Sequence, residues 1–365
     1  MMLKISLKLL IGLSLLTGLI APYSALADTP LAPTAPQILK STLFLRADRM
    51  VRYWKQPNTE NYWSWVPTGS FYVLGPIGTG SKFAVDFTLP DGKPWTTVTA
   101  PVSALEPNAL ARVDIPGSDS HMDKRGILET GTFGFKIRLL NALNNTNETI
   151  LTGKFHVGKL HKGNALPAFK NQFEYYVDQD WMMPIGYVWL DWLKDPNDPL
   201  LRVAMWFKGE GLNDTKLAAY LLYNGKQIGS TKEFGTAYKA ATLLTNGMDT
   251  NDPHWERWEF SWGKVRGWNT DTSANNWADT FFLAKNPGEY EIKVLRDGKL
   301  ARTTKFIVGA DGKIVDNGLV ANNKIGGIAM IVPVKVMGNG DGKWNPIAWK
   351  TDAFYGNPLQ GFNAP

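Results

Sequence analysis

Two short stretches gather residue types that do chemistry. "DSHMDKR" (Asp119–Arg125) and "DPHWERW" (Asp252–Trp258) both read Asp-x-His-x-acid-base. In an extended chain, residues i, i+2 and i+4 point to one side. Asp119, His121 and Asp123 would then converge, as would Asp252, His254 and Glu256. An imidazole between two carboxylates suits a divalent cation. It suits equally a general base oriented by a carboxylate, which would make His254, with Asp252 and Glu256, the centre of a metal- or carboxylate-dependent hydrolase. The plain alternative is a histidine anchored by its neighbours at the start of a strand and inherited when a domain duplicated. A catalytic zinc normally takes three protein ligands at defined geometry, and no second histidine stands near either motif.

The second motif runs on into "ERWEFSW" (Glu256–Trp262), in a chain with 15 tryptophans. Strand alternation puts Trp258, Phe260 and Trp262 on one face and Arg257, Glu259 and Ser261 on the other. A face of large rings either closes a core or forms a platform that stacks on sugar rings, with polar side chains binding the hydroxyls. Trp268 and Trp277 lie in "GWNTDTSANNWAD" (Gly267–Asp279), a polar, Asn-rich stretch where an indole is a loop anchor or an exposed contact. The candidate ligand contacts are therefore Trp258, Trp262, Trp268, Trp277 and Arg257. "RYWKQPNTENYWSW" (Arg52–Trp65) reads as core filling beside a polar turn. "YVWLDWLKD" (Tyr187–Asp195) reads as a short buried strand with no function attached.

Other motifs fail on context. "GPIGTGSK" (Gly75–Lys82) resembles a phosphate loop, but Ser81 and Lys82 are in the wrong order and a strand follows where a helix N-terminus is needed. "NGDGKW" (Asn339–Trp344) lacks the spacing and terminal Glu of a calcium loop and reads as a turn. There is no Gly-x-Ser-x-Gly elbow and no cysteine, so serine-elbow and thiol chemistry have no carrier. No cofactor is implied.

The elements that must position these residues are strands. "STLFLRADRMVRYW", "KFAVDFTL", "LLRVAMWF", "KLAAYLLY", "EYEIKVL" and "TTKFIVG" show strand patterning, and "PDGK", "YNGK" and "RDGK" are hairpin turns. Long capped amphipathic helices are missing from the pattern, so the fold class is all-β.

The strands repeat. "KFAVDFTLPDGK" (Lys82–Lys93) matches "KLAAYLLYNGK" (Lys216–Lys226), "TGTFGFKIRLL" (Thr130–Leu140) matches "PGEYEIKVLR" (Pro287–Arg296), and "GKFHVGK" (Gly153–Lys159) matches "TKFIVGADGK" (Thr304–Lys313). The order is the same in both halves, which predicts two tandem β-sandwich domains. Each histidine motif stands 28 positions beyond its hairpin lysine, Lys93 to His121 and Lys226 to His254. Beyond that point the second half is longer by about 24 residues, and the added tryptophans fall there.

The predicted organisation is a signal peptide over 1–27, a Pro-rich spacer over 28–39, a first sandwich over 40–160, and a second over 165–312 with a Trp-rich insertion near 257–285. A C-terminal extension of strand and loop, 313–365, is expected to lie on the second sandwich or on a partner. Its "KIGGIAMIVPVKVMG" reads as one strand broken or bent at Pro333. In strand spacing and in its "NGK" and "DGK" hairpins the chain resembles bacterial immunoglobulin-like or fibronectin-type modules. That resemblance implies a fold and no particular activity.

Lys4, Lys8, the apolar "LLIGLSLLTGLIA" and the small residues Ala25 and Ala27 form a secretory signal with cleavage after Ala27. No later run is long and apolar enough to span a bilayer, so the mature chain is expected to be without a transmembrane segment. An exported chain with no cysteine is held by its core alone and points to a bacterial periplasmic or secreted protein. Two of the 39 basic residues fall in the signal, leaving 37 against 33 acidic residues and a net charge of +4, too little for a nucleic-acid partner. The leading expectation is a non-enzymatic binding or structural protein of the envelope or exterior, with a glycan or envelope component as partner. The hydrolase at His254 is the alternative.

Overall fold

The computed structural model describes residues 35–55, 60–107, 109–117, 124–161, 173–192, 194, 196–208, 215–244, 254–270, 279–323, 329–337, 354–357 and 359–362. The predicted signal segment and most of the predicted Pro-rich spacer lie outside them. Nearly all the described structure is β.

The first half runs β1 (Gln37–Lys55), β2 (Glu60–Leu74), β3 (Lys82–Thr88), β4 (Pro94–Pro101), β5 (Leu110–Ile115), β6 (Gly131–Asn141), β7 (Thr146–His161) and β8 (Phe173–Val177). They make two sheets, in the orders β1-β2-β5 and β4-β3-β6-β7-β8. Alternation explains the core: Phe83, Val85 and Phe87 of β3 and Phe133, Phe135, Ile137 and Leu139 of β6 all point inward and are buried. Trp65 of β2 is fully buried at the centre, edge-on to Trp95 at 5.1 Å and to Phe133 at 4.9 Å. Trp65 thus fills core, as its alternation predicts.

The second half runs β9 (Ile185–Leu190), β10 (Leu200–Lys208), β11 (Leu217–Tyr223), β12 (Lys226–Ser230), the one-turn α1 (Thr231–Phe234), β13 (Gly235–Leu244), β14 (His254–Arg266), β15 (Phe281–Phe282), β16 (Gly288–Arg296), β17 (Lys299–Val308), α2 (Leu319–Asn323) and β18 (Met330–Val336). Here the strands form one ten-stranded sheet, in the order β12-β11-β16-β17-β18-β9-β10-β14-β13, with β15 beside β14. It curls until it nearly closes on itself. The chain therefore does not divide into four separate sheets, as two plain sandwiches would.

Pro333 explains the continuity. β18 pairs with β17 through Val334–Val336 and with β9 through Met330–Pro333. It changes partner at the residue that has no N–H to donate. On the opposite side, Trp262 of β14 lies under Gly229 of β12 and donates its indole N–H to the Ala219 carbonyl of β11 at 3.2 Å. One strand and one indole thus bring the two ends of the sheet around a common core of Val203, Phe207, Leu221, Phe260, Ile292 and Val334.

The two halves share a strand order. β4-β3-β6-β7 corresponds to β12-β11-β16-β17, and β1-β2-β5 to β9-β10-β14. Asn224-Gly225 and Asp297-Gly298 both have positive φ at two successive residues, which lets their hairpins follow the strand twist. The correspondence corrects the pairing of the two histidine motifs. His254 opens β14, whereas Asp119–Asp123 follow the end of β5. Among the described residues β13 has no counterpart in the first half, and its length accounts for the equal 28-residue spacing. Residues 257–266 belong to β14, the counterpart of β5, and are not inserted sequence.

Of the C-terminal extension, β18 lies in the second half's sheet, as expected, whereas Phe354 and Tyr355 close on the first half. The Leu45 N–H donates to the Tyr355 hydroxyl at 3.2 Å, and that hydroxyl donates to Gln179 Oε1 at 3.3 Å. The Tyr355 ring meets Phe135 and Trp181.

Candidate functional site

β14 positions most of the residues that sequence singled out, and it buries both of its faces. Trp258 and Trp262 are 3% and 1% exposed and belong to the second core. No ring face is open there for a sugar, so these two indoles are core, because β11 and β12 close over the inward side of β14. Trp255, which alternation sets on the opposite face, is equally buried, in the core that runs across the joint between the halves.

Glu256 is engaged. Its Oε2 accepts the Trp258 Nε1–H at 2.9 Å and its Oε1 lies 3.1 Å from Lys239 Nζ. A buried carboxylate held by an indole and an ammonium satisfies those donors. Arg257 is also buried, with Nη2 3.0 Å from Glu259 Oε1; Glu259 further accepts the Tyr238 hydroxyl. Burial, then the bond to Glu259, pushes the Tyr238 phenol up to about 12. Arg202 completes this outer-face network, donating to Asp191 Oδ2 at 2.7 Å and to the Tyr238 oxygen at 3.4 Å. Arg257 is a strut of that network, with its guanidinium turned away from solvent.

Asp119, His121, Asp123, Asp252, Trp277 and the His254 side chain lie outside the described residues. Among the described residues, no group of three or more His, Asp or Glu side chains could hold a metal ion. No helix among them is long and apolar enough to cross a membrane.

Trp268 behaves differently. The last pair of the β10–β14 ladder joins Leu200 to Arg266, so the segment after β14 emerges beside the β9–β10 loop. The two are stitched together. The Gly267 N–H donates to the Pro199 carbonyl at 2.8 Å, and the Thr270 N–H to the Asn197 carbonyl at 3.0 Å. Thr270 Oγ1 donates to Asn197 Oδ1 at 2.9 Å, and Arg266 Nε to Asp198 Oδ2 at 2.8 Å. Trp268 donates its Nε1–H to the Pro196 carbonyl at 3.0 Å and rests half-buried on the second core. Trp192, from the same β9–β10 loop, is half-buried on that core too. Two partly open indoles thus sit at one end of the second half, among Asn197, Asn269 and Thr270. The sequence carried no sign of Trp192's part, because a short apolar run does not show where its strand ends; the turn residues of "KDPNDP" are the one local signal.

Comparison with protein-family models gives no match, and comparison with curated proteins gives none.

Proposed function

We propose that this chain is an exported, non-enzymatic binding or structural protein that contacts a glycan through the Trp268 end of its second half. The observation that carries the reading is the seating of Trp268: a half-buried indole, fixed by its own N–H, beside amide and hydroxyl side chains. Stacking on a sugar needs a ring whose orientation is already set, so that little entropy is lost on binding. Trp192, half-buried on the same core from the same loop, joins the platform, and Trp277 enters it from sequence. The engaged state of Glu256 weighs against the hydrolase reading.

The strand orders support a finer statement of the fold, that each half is built on an immunoglobulin-like or fibronectin-type module, with three strands and four in the order the halves share. Export rests on the Lys4-to-Ala27 segment.

The test is retention of the mature chain, from Asp28, on insoluble peptidoglycan, chitin and cellulose, with and without EDTA. Retention that Trp268→Ala abolishes and EDTA leaves intact supports the platform. Retention lost with EDTA returns the histidine motifs to the front. No retention on any of the three leaves a structural protein.

A further inference from the structure

The chain passes from the first half to the second through Asp178–Pro184, and this crossing holds a cluster that sugar binding does not use. Asp178 is tied to the first half, its N–H donating to the His156 carbonyl at 2.8 Å. Its Oδ1 accepts the Asp180 N–H at 2.8 Å. Asp180 is 1% exposed and is gripped from the second half. Lys208, at the end of β10, sets its Nζ 2.8 Å from Oδ1 and 3.0 Å from Oδ2. Trp255 of β14 donates its indole N–H to the same Oδ1 at 2.9 Å, and Lys208 Nζ lies 5.2 Å from that ring's centroid.

We propose that this joint is an acid-tightened latch, in which Asp178 stands beside the Asp180–Lys208 ion pair and the halves hold most firmly when Asp178 carries a proton. Asp180 already holds the two strong donors, Lys208 Nζ and the Trp255 indole N–H. Asp178 then adds a second negative charge to a buried site that Lys208 has already neutralised. Tyr176 stands on the same segment. β7 contributes the His156 carbonyl, with that residue's ring turned to Thr132 Oγ1 at 3.3 Å. The tail contributes the Tyr355 hydroxyl, which is spent on Gln179 and Leu45. Burial, and after it the charge of Asp180, push the Asp178 carboxyl up to about 6, against the pull of Lys208.

The sign follows. A carboxyl raised in the folded state above its unfolded value of about 3.9 binds its proton more tightly when folded. Its contribution is greatest below that value, falls as pH rises toward about 6, and stays low above.

Thermal melting of the full chain between pH 4.5 and pH 8 tests the latch, with hydrogen exchange of residues 176–183 and 205–208 as the local readout. The wild type is expected to lose about 2–4 °C across that window relative to Asp178→Asn, whose amide keeps the acceptor for the Asp180 N–H without the charge. The joint peptides should exchange several-fold faster at pH 8 in the wild type, after correction for intrinsic rates, and not in the variant. Lys208→Arg should keep the wild-type profile, and Lys208→Met should steepen it. Parallel melting profiles for wild type and Asp178→Asn would overturn the proposal. So would exchange that rises equally throughout the chain, a result readable from the wild type alone if the variants fail to fold.

Discussion

Trp262 and Trp268 stand six positions apart, on either side of the last residues of β14. Trp262 fills the seam between β14 and β11, with its N–H on the Ala219 carbonyl; Trp268 caps the end of the same core, half in water. Their substitutions should separate stability from binding. Trp262→Ala removes a fully enclosed ring and is expected to cost about 3–5 kcal/mol in denaturant unfolding. Trp268→Ala is expected to cost less than half as much and to abolish glycan retention. Equal stability losses would show both rings to be core. Alternation correctly put Trp258, Phe260 and Trp262 on one face, yet gave no sign that the Arg257 face is buried as well. That burial depends in part on β9 and β10, which lie some 50 or more residues earlier in the chain.

At the level of elements, closure of the second half depends on two narrow features. One is Gly229, where an added Cβ would stand 2.7 Å from Trp262 Cδ1. A large buried ring cannot yield by that much without moving β14, so Gly229→Ala is expected to cost about 1–3 kcal/mol, measurable as a fall in Tm. Gly229 has no special φ, so the objection is steric alone. The other is β18, whose exchange of partners at Pro333 joins β17 to β9. The sequence marked Pro333 as a break; that the break is a bridge between strands followed only from seeing both partners. β13 was hidden for a related reason. Its "GTAYKAATLL" has the alternation of a strand, but nothing local told that it was added to a repeat whose spacing it happened to preserve.

On the scale of the whole molecule, the first core does not stop at the joint. It continues through Trp181, Trp206, Trp255 and Ile331 to Phe354 and Tyr355 of the tail. Units sharing that much apolar contact should unfold together. Calorimetry of the full chain is therefore expected to show one transition whose calorimetric and van't Hoff enthalpies agree; two resolved transitions would mean the halves are independent. The tail is part of the same unit. Tyr355→Phe leaves the buried Leu45 N–H without its acceptor and is expected to lower stability by about 1–3 kcal/mol, read from denaturant unfolding.

The sequence by itself determined what depends on neighbours along the chain. Strand periodicity, Gly-bearing hairpin turns and the order of repeated strands are local or merely periodic, and all three reappear in the sheets. Only the tertiary structure decided which faces of those strands meet water, which of the acids near His254 is already engaged, and where the tail comes to rest. Burial and hydrogen-bond partnership are properties of residues brought together from distant segments. Thus Glu256 reads as a free carboxylate until Lys239 and Trp258 are seen against it, and Trp192 reads as buried strand until its loop is seen to end beside Trp268.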